Sequence, residues 1–447
     1  MTFNDQLDNI PNIEVEGGLI SGVPGEKSHT IIFKGVPYAA PPIGKLRWCP
    51  PHPVVPWEGV RKCDTFGKIC PQPFQPEVGF YRKEFYDMPD PEASEDCLYL
   101  NVWVPKQQLI DKSSPIPVSI YIHGGAFDHG WSHEKEFDGE AFNEHNTIYI
   151  SINYRVNLFG FLTHPILIQN EETKLSCNNA VLDVLKAIRW VKQYIPNFGG
   201  DPNRITLFGQ SAGSMLTSAL SILNDAKGLF NNVILQSGVG YQIQMLDFIP
   251  LEKAIKIGQE LMEPFNVKSV EDMQKIPMED LLNRFLELSK TKQELLFSLT
   301  IDGKTFIKSF TESVDENSFH PQNIIIGYNS KDIFEDLLPK SINLLSKTLL
   351  KQGKNVFTYY FSPDIPGDDS GAFHSCELWF VFGTLKRCWR PFTEKDYNLS
   401  KIMISYWCNF ISKGDPNQPG LPEWPKLTNQ QNKSIELNYN ISYIENS

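Results

Sequence analysis

The chain has 447 residues, with 41 Lys and Arg against 53 Asp and Glu, for a formal net charge of −12. Charged residues make up 21% and apolar residues 41%, so a wholly disordered chain is excluded and a large core is available for burial. The acidic balance argues against a broad nucleic-acid surface and against docking on an anionic membrane, since both need clustered Lys and Arg.

The N-terminus, MTFNDQLDNIPNIEVEGGL, has no basic n-region and no apolar h-region. The expected location is therefore cytoplasmic, or extracellular if the chain is a processed form. No run approaches the ~18 uninterrupted apolar residues of a membrane span. GLISGV and TIIFKGVPYA read as strands broken by the turn PPIG, and Pro-rich loops dominate residues 41–91. LYLNVWVP alternates as a strand. VSIYIHGG and TIYISINY are β-rich apolar runs bounded by turn residues, which suits buried strands.

From Ala180 the period changes. Val181, Val184, Leu185, Ile188, Val191 and Ile195 recur at three- and four-residue steps, the mark of an amphipathic helix. FGGDPN reads as its stop and turn. RITLFG is a short strand, SAGSMLTSALSIL a helix and VILQSG a strand. EKAIKIGQELMEPF and VEDMQKIPMEDLLNRFLEL read as helices, NIIIGYN and NVFTYYF as strands. Strands alternating with helices predict a mostly parallel sheet with helices on both faces. Without repeat or linker, the expected organisation is one α/β domain over residues 1–447. A helical cap-like insertion is expected at 240–320.

RITLFGQSAGSM places Gly209-Gln210-Ser211-Ala212-Gly213 between a strand and a helix. This is the GxSxG elbow in its required context. A sharp strand-to-helix reversal presents the serine, and the helix N-terminus beneath it favours developing negative charge. Upstream, a strand runs into His123-Gly124-Gly125-Ala126-Phe127, an HGG-type loop whose N–H groups suit an oxyanion. Glycine there keeps a Cβ out of the oxyanion's way. His123 reads as a brace for the loop rather than a proton carrier.

With these residues in view, the chain resembles the type-B carboxylesterases of the α/β-hydrolase superfamily, which include the cholinesterase-like proteins. GLISGV through FKGVPYAAPPIGKLRW is similar to the family's N-terminal strands. EDCLYLNVWVP is similar to its second signature, and FGGDPNRITLFGQSAG to its nucleophile signature. The resemblance covers nearly the whole chain, as a short, bacterial-type member. It implies the α/β-hydrolase fold, with a large, twisted, mostly parallel sheet and an antiparallel N-terminal portion. The family usually has Glu where this chain has Gln210, so a buried ionisable neighbour of the serine becomes a neutral amide.

The same resemblance implies the rest of the triad. His374 lies in GAFHSCELWFVFG, similar to the family's catalytic-histidine loop; His320, in ENSFHPQN, is the other histidine after Ser211 and reads as exposed. Asp332 falls on the acid position after the strand at 324–326, with Glu335 and Asp336 as rivals in the same loop. Asp368 and Asp369 read as turn-forming residues. The expected chemistry is attack by Ser211, proton transfer through His374 and orientation by Asp332. Gly124, Gly125 and Ala212 would bind the oxyanion, with no metal or organic cofactor.

The substrate implied is a small-molecule ester of small or medium acyl length, with no nucleic-acid partner and with monomer and dimer both open. Thioester hydrolysis, transacylation and a catalytically silent binding protein on the same fold are the alternatives. Eight cysteines include no CxxC pair. Cys70 and Cys97 match positions that form a disulfide in secreted relatives, and both redox states stay open. Trp379, Phe380 and Phe382 suit either a pocket or the core. Relatives carry longer insertions after Gly238 and between Asp332 and His374, so a more open pocket is expected.

Overall fold

A computed structural model describes residues 10–74, 76–169, 177–292, 295–334 and 336–445. Among them, eleven strands form one mixed sheet. They are β1 (Val23–Pro24), β2 (Thr30–Pro37), β3 (Tyr99–Pro105), β4 (Ile116–Ile122), β5 (Ile148–Ile152) and β6 (Gly200–Gln210). The chain continues with β7 (Asn232–Gln236), β8 (Asn323–Asn329), β9 (Asn355–Phe361), β10 (Lys433–Leu437) and β11 (Ser442–Glu445). Their spatial order is β11-β10-β9-β8-β7-β6-β4-β5-β3-β2-β1. From β10 across to β5 every pairing is parallel. The β1–β2, β2–β3, β3–β5 and β10–β11 pairings are antiparallel. This is the α/β-hydrolase fold.

Helices flank the sheet: α1 (Phe80–Phe85), α2 (Asn179–Tyr194), α3 (Ala212–Ile222), α4 (Leu251–Met262) and α5 (Val270–Lys275). Then come α6 (Met278–Thr291), α7 (Leu337–Lys351), α8 (Glu377–Val381) and α9 (Glu394–Lys413). The central strands are apolar along their whole length because both faces are covered. Successive side chains point to opposite faces, so one strand feeds two cores. Val233 and Leu235 join the core built with α2, α3 and α7, while Ile234 between them joins the core built with α8 and α9. The second core is aromatic-rich, with Tyr121, Tyr149, Phe208, Trp379, Phe382 and Trp407.

Two elements depart from the sequence expectation. The stretch expected as Pro-rich loops contains α1. This six-residue helix is far too short to hold by propensity alone. Tertiary contacts hold it instead: Phe85 stacks on Trp379 at 5.5 Å, and Glu84 accepts from Arg390 Nε at 2.9 Å. The second is β6, which begins at Gly200, within the expected turn. Gly200 pairs with Ile116, and the register then shifts before Val118 meets Ile205. The extra residues form a bulge, fastened by an Asp201–Arg204 ion pair at 2.8 Å.

In the segment 240–320, buried Leu261, Met273, Leu281 and Phe285 belong to the first core of the sheet. No helix among the described residues is long and apolar enough to cross a membrane.

Candidate active site

The parallel strands β4, β6 and β8 end on one edge of the sheet, and the chemistry-bearing loops begin there. Ser211 is the single residue between β6 and α3. Its backbone sits at φ 56° and ψ −126°, a conformation that costs a non-glycine residue about 1–3 kcal/mol. The surroundings hold it there. Its N–H donates to the Gln236 carbonyl at 2.8 Å. A Cβ on Gly213 would run into the carbonyl oxygens of Ile122 and His123, so only glycine lets α3 close onto the end of β4.

The HGG loop follows β4 directly. Gly125 has φ +102°, and a Cβ there would stand 2.7 Å from the carbonyl carbon of His129. Glycine is thus required by closure of the loop itself, a different reason from the oxyanion clearance expected from the sequence. His123 is buried, with Nδ1 2.8 Å from the Gly124 oxygen and its ring stacked on Tyr154 at 4.2 Å. Burial pushes its pKa down to about 3, so the ring is a neutral brace.

The loop after β8 and the loop carrying His374 are zipped together. Lys331 N–H donates to the Ala372 carbonyl at 3.0 Å, and Lys331 bridges Phe373. One residue further along each strand, Asp332 Oδ1 lies 2.5 Å from His374 Nδ1. Asp332 is buried, and backbone N–H groups of Asn329 and Ile333 donate to it at 3.0 and 2.9 Å. A carboxylate accepts only, so the proton of a neutral His374 is assigned to Nδ1, leaving the Nε2 lone pair free to accept.

Ser211, His374, Gly124 and Gly125 share the wall of one cavity of about 230 Å³. Ala212 stands at the first position of α3. The Gln210 amide lies beside the histidine, its Nε2 3.2 Å from His374 Nε2. Ser211 itself makes no hydrogen bond to His374 among the described residues; Gln210 meets the lone pair in its place. Tyr81, Phe85 and Leu378 supply apolar wall, and Tyr121, Glu134 and Glu136 supply polar wall. None of the described residues of the segment 240–320 lines this cavity.

The rivals stand elsewhere. His320 is half-buried, and its backbone N–H donates to the Ser221 carbonyl near the far end of α3 from Ser211. Asp336 stands exposed at the N-cap position of α7, where its side chain makes no capping hydrogen bond. Asp368 pairs with Arg390 at 2.9 Å, and those hydrogen bonds pull its pKa down to about 2. Glu335 lies outside the described residues. Among the described residues no three His, Cys, Asp or Glu side chains gather as a metal site.

A sequence model described as the carboxylesterase family matches residues 9–338 and 332–447. The chain belongs to the carboxylesterase family. It is 29% identical to carboxylesterase 1C of Rattus norvegicus, covering 90% of this chain and 84% of the relative. It is 28% identical to para-nitrobenzyl esterase of Bacillus subtilis, covering 93% and 92%. A solved PNB esterase superposes with TM-score 0.84 at 26% identity, over 98% of this chain and 97% of the other. A carboxylesterase from Geobacillus stearothermophilus superposes with TM-score 0.81 at 27% identity, over 97% of each. The chain is therefore a carboxylic-ester hydrolase.

Sequence reasoning passed over several residues of this carboxylesterase's site. Glu377 sits three residues after His374, at the first position of α8, fully buried and accepting from Asn329 Nδ2 at 2.6 Å and Gln236 Nε2 at 3.3 Å. Burial pushes its pKa up to about 7. Its spacing of three from His374, at a helix start, is the signal that was available. Glu134 and Glu136 gave none, since an acidic EKE run reads as surface. Trp379, Phe380 and Phe382 are core residues, and Leu378 alone of that run lines the cavity. Cys70 and Cys97 are buried free thiols.

Proposed function

We propose that this carboxylesterase hydrolyses esters of short to medium acyl chains through an acyl-enzyme on Ser211. His374 is the general base and then the general acid, Asp332 fixes its tautomer, and the N–H groups of Gly124, Gly125 and Ala212 receive the oxyanion. The observation that carries this reading is the Asp332–His374 pair at 2.5 Å, facing the same cavity as the strained Ser211.

Each role follows from the chemistry available. Asp332 holds the Nδ1 proton, so Nε2 is the basic atom. A bound ester brings the Ser211 hydroxyl to Nε2, and the Gln210 amide gives way. Oγ attacks the carbonyl carbon as Nε2 takes the hydroxyl proton. The oxyanion then forms at the head of α3, where helix N–H groups and the HGG loop converge. Collapse expels the alcohol, which leaves with the proton from Nε2. Water repeats the sequence and frees the acid. At about 230 Å³ the cavity falls below the range of roughly 300–1,000 Å³ typical of drug-sized ligands, which favours short chains.

Hydrolysis of p-nitrophenyl acetate and butyrate tests the reading. The wild type is expected to turn both over, and Ser211→Ala to lose on the order of 10⁴-fold or more in kcat. A folded but inert wild type would return the chain to a binding role on the same fold. Activity retained in Ser211→Ala would displace the serine as nucleophile.

A further inference from the structure

One wall of the cavity is built unlike the rest. Glu134 and Glu136 line it, and they are only 6% and 2% exposed. Glu134 is occupied: its Oε1 accepts from Trp131 N–H at 2.9 Å and its Oε2 from the Tyr86 hydroxyl at 3.2 Å. Glu136 stands beside Glu134, and after burial itself the neighbouring carboxyl is the largest influence pushing Glu136 toward its neutral form. Glu136 Oε2 has no partner among the described residues, and neither has the hydroxyl of Tyr121, another residue of this cavity. Buried polar atoms are rarely left so, and each orphan costs free energy until something fills it.

The charge is equally incomplete. No Lys or Arg is among the residues lining the cavity. Lys135, between the two carboxylates in sequence, is engaged by Asp87 at 2.6 Å and lies over the Trp379 ring. Burial pushes both carboxyls toward their neutral forms, Glu134 to about 7. A cation in the cavity would reverse that penalty. The remaining wall suits one, because aromatic faces of Tyr81, Phe85 and Phe137 border the same space and attract positive charge. The protein's net charge of −12 also raises the local concentration of cations.

We infer that this cavity selects esters carrying a protonated amine, whose N–H is received by Glu136 Oε2 and whose charge is balanced by the Glu134–Glu136 pair. A neutral donor would satisfy the orphan oxygen but leave the carboxyls without a counter-charge. A quaternary ammonium would supply the charge but no N–H. The inference rests on the reading of Ser211 as the nucleophile of an esterase, because it assigns the substrate of that site.

Three butyrate esters of matched shape separate these cases: 2-(dimethylamino)ethyl butyrate, 3-methylbutyl butyrate and butyrylcholine. At pH 7 the amine ester is expected to exceed the neutral ester in kcat/KM by about tenfold or more, the size of a hydrogen bond to a charged group. It is also expected to exceed the choline ester. In Glu136→Gln and Glu134→Gln the amine-to-neutral ratio should fall toward one. The ratio is internal to each protein, so an overall loss of activity does not obscure it. Should a variant fail to fold, the wild type still decides: n-butylammonium should inhibit p-nitrophenyl acetate hydrolysis competitively and more tightly than 1-butanol. A wild-type ratio near one, a choline ester preferred over the amine ester, or a ratio unmoved by either substitution overturns the inference. Loss of p-nitrophenyl acetate turnover would instead overturn the esterase reading beneath it.

Discussion

Two groups of buried carboxylates in this protein differ by position. Away from the cavity, Asp183 and Glu84 are met by arginine. Asp183, fully buried on α2, takes two hydrogen bonds from Arg155 at 2.7 and 2.6 Å, and Arg155 also donates to the Cys49 carbonyl. Glu84 on α1 is held by Arg390 and by the indole N–H groups of Trp379 and Trp389. On the cavity wall, Glu134 and Glu136, and beside His374 in the chain, Glu377, are as deeply buried but make no ion pair with arginine or lysine among the described residues. In a low-dielectric interior an unpaired charge is costly, so the two groups cannot serve the same purpose. Where Asp183 and Glu84 tie elements together, the fold supplies their counter-ion. Where Glu134 and Glu136 border the reaction space, the counter-charge is left to what enters.

Asp332 tests that division most severely. Its partner is a titratable base, His374, and its other bonds come from backbone N–H groups. Asp332→Asn keeps the shape but offers a donor amide to Nδ1, which favours the wrong tautomer. The expected loss in kcat is on the order of 10³–10⁴-fold, read with p-nitrophenyl butyrate at pH 7. Glu335→Gln is expected to cost less than about threefold. Comparable small losses in both variants would move the acid away from Asp332 and dissolve the distinction between it and its loop neighbours.

The scaffold side is broken by removing the arginine. Arg155→Met strands Asp183 without a counter-charge between the loop after β5 and α2. Such a loss typically destabilises by about 3–5 kcal/mol. The urea midpoint should drop sharply, and Arg155→Met/Asp183→Asn should recover part of it. Glu136→Gln, by contrast, takes an ionisable carboxyl away from beside Glu134 and strands no counter-charge, so its midpoint should hold or rise. If Arg155→Met and Glu136→Gln shift the midpoint alike, the two groups of carboxylates are not distinct.

What could be read from the sequence was whatever depends on local backbone. The elbow at Ser211 needs a strand, a helix and small residues within five positions, and RITLFGQSAGSM carries all of them. The β strands of the parallel region announce themselves as unbroken apolar runs because both faces are buried. His374 and Asp332 were placed by family resemblance rather than by spacing, since residues 42 apart meet only through the β8–β9 pairing and the Lys331–Phe373 bridge. Residues whose meaning comes from burial were not legible. Glu134 and Glu136 look like a solvated charge run until Tyr86, Tyr121 and Phe137 close over them. Helix α1 looks like loop because its stability lies in contacts to Trp379 and Arg390, some 300 residues away.

The gentlest way to sharpen the comparison is through pH. Glu377 is pushed up from 4.5 to about 7, chiefly by burial, with the neighbouring charge of Asp332 adding to it. Between those two values the folded protein keeps the Glu377 proton while the unfolded chain has released it. Stability therefore falls as pH rises from about 4.5 to 7, and the contribution is fully present only below that window. Glu377→Gln keeps an acceptor for Asn329 and cannot ionise, so it removes this slope. Unfolding free energies of the two proteins from urea titration should converge on raising the pH from 5 to 7.5, or cross in favour of the variant, by on the order of 2 kcal/mol. Curves that stay parallel would mean that the folded protein does not retain the proton. Glu377 would then be a carboxylate solvated by means other than a cation, and the group without arginine would lose its strongest example of charge left unneutralised by the fold.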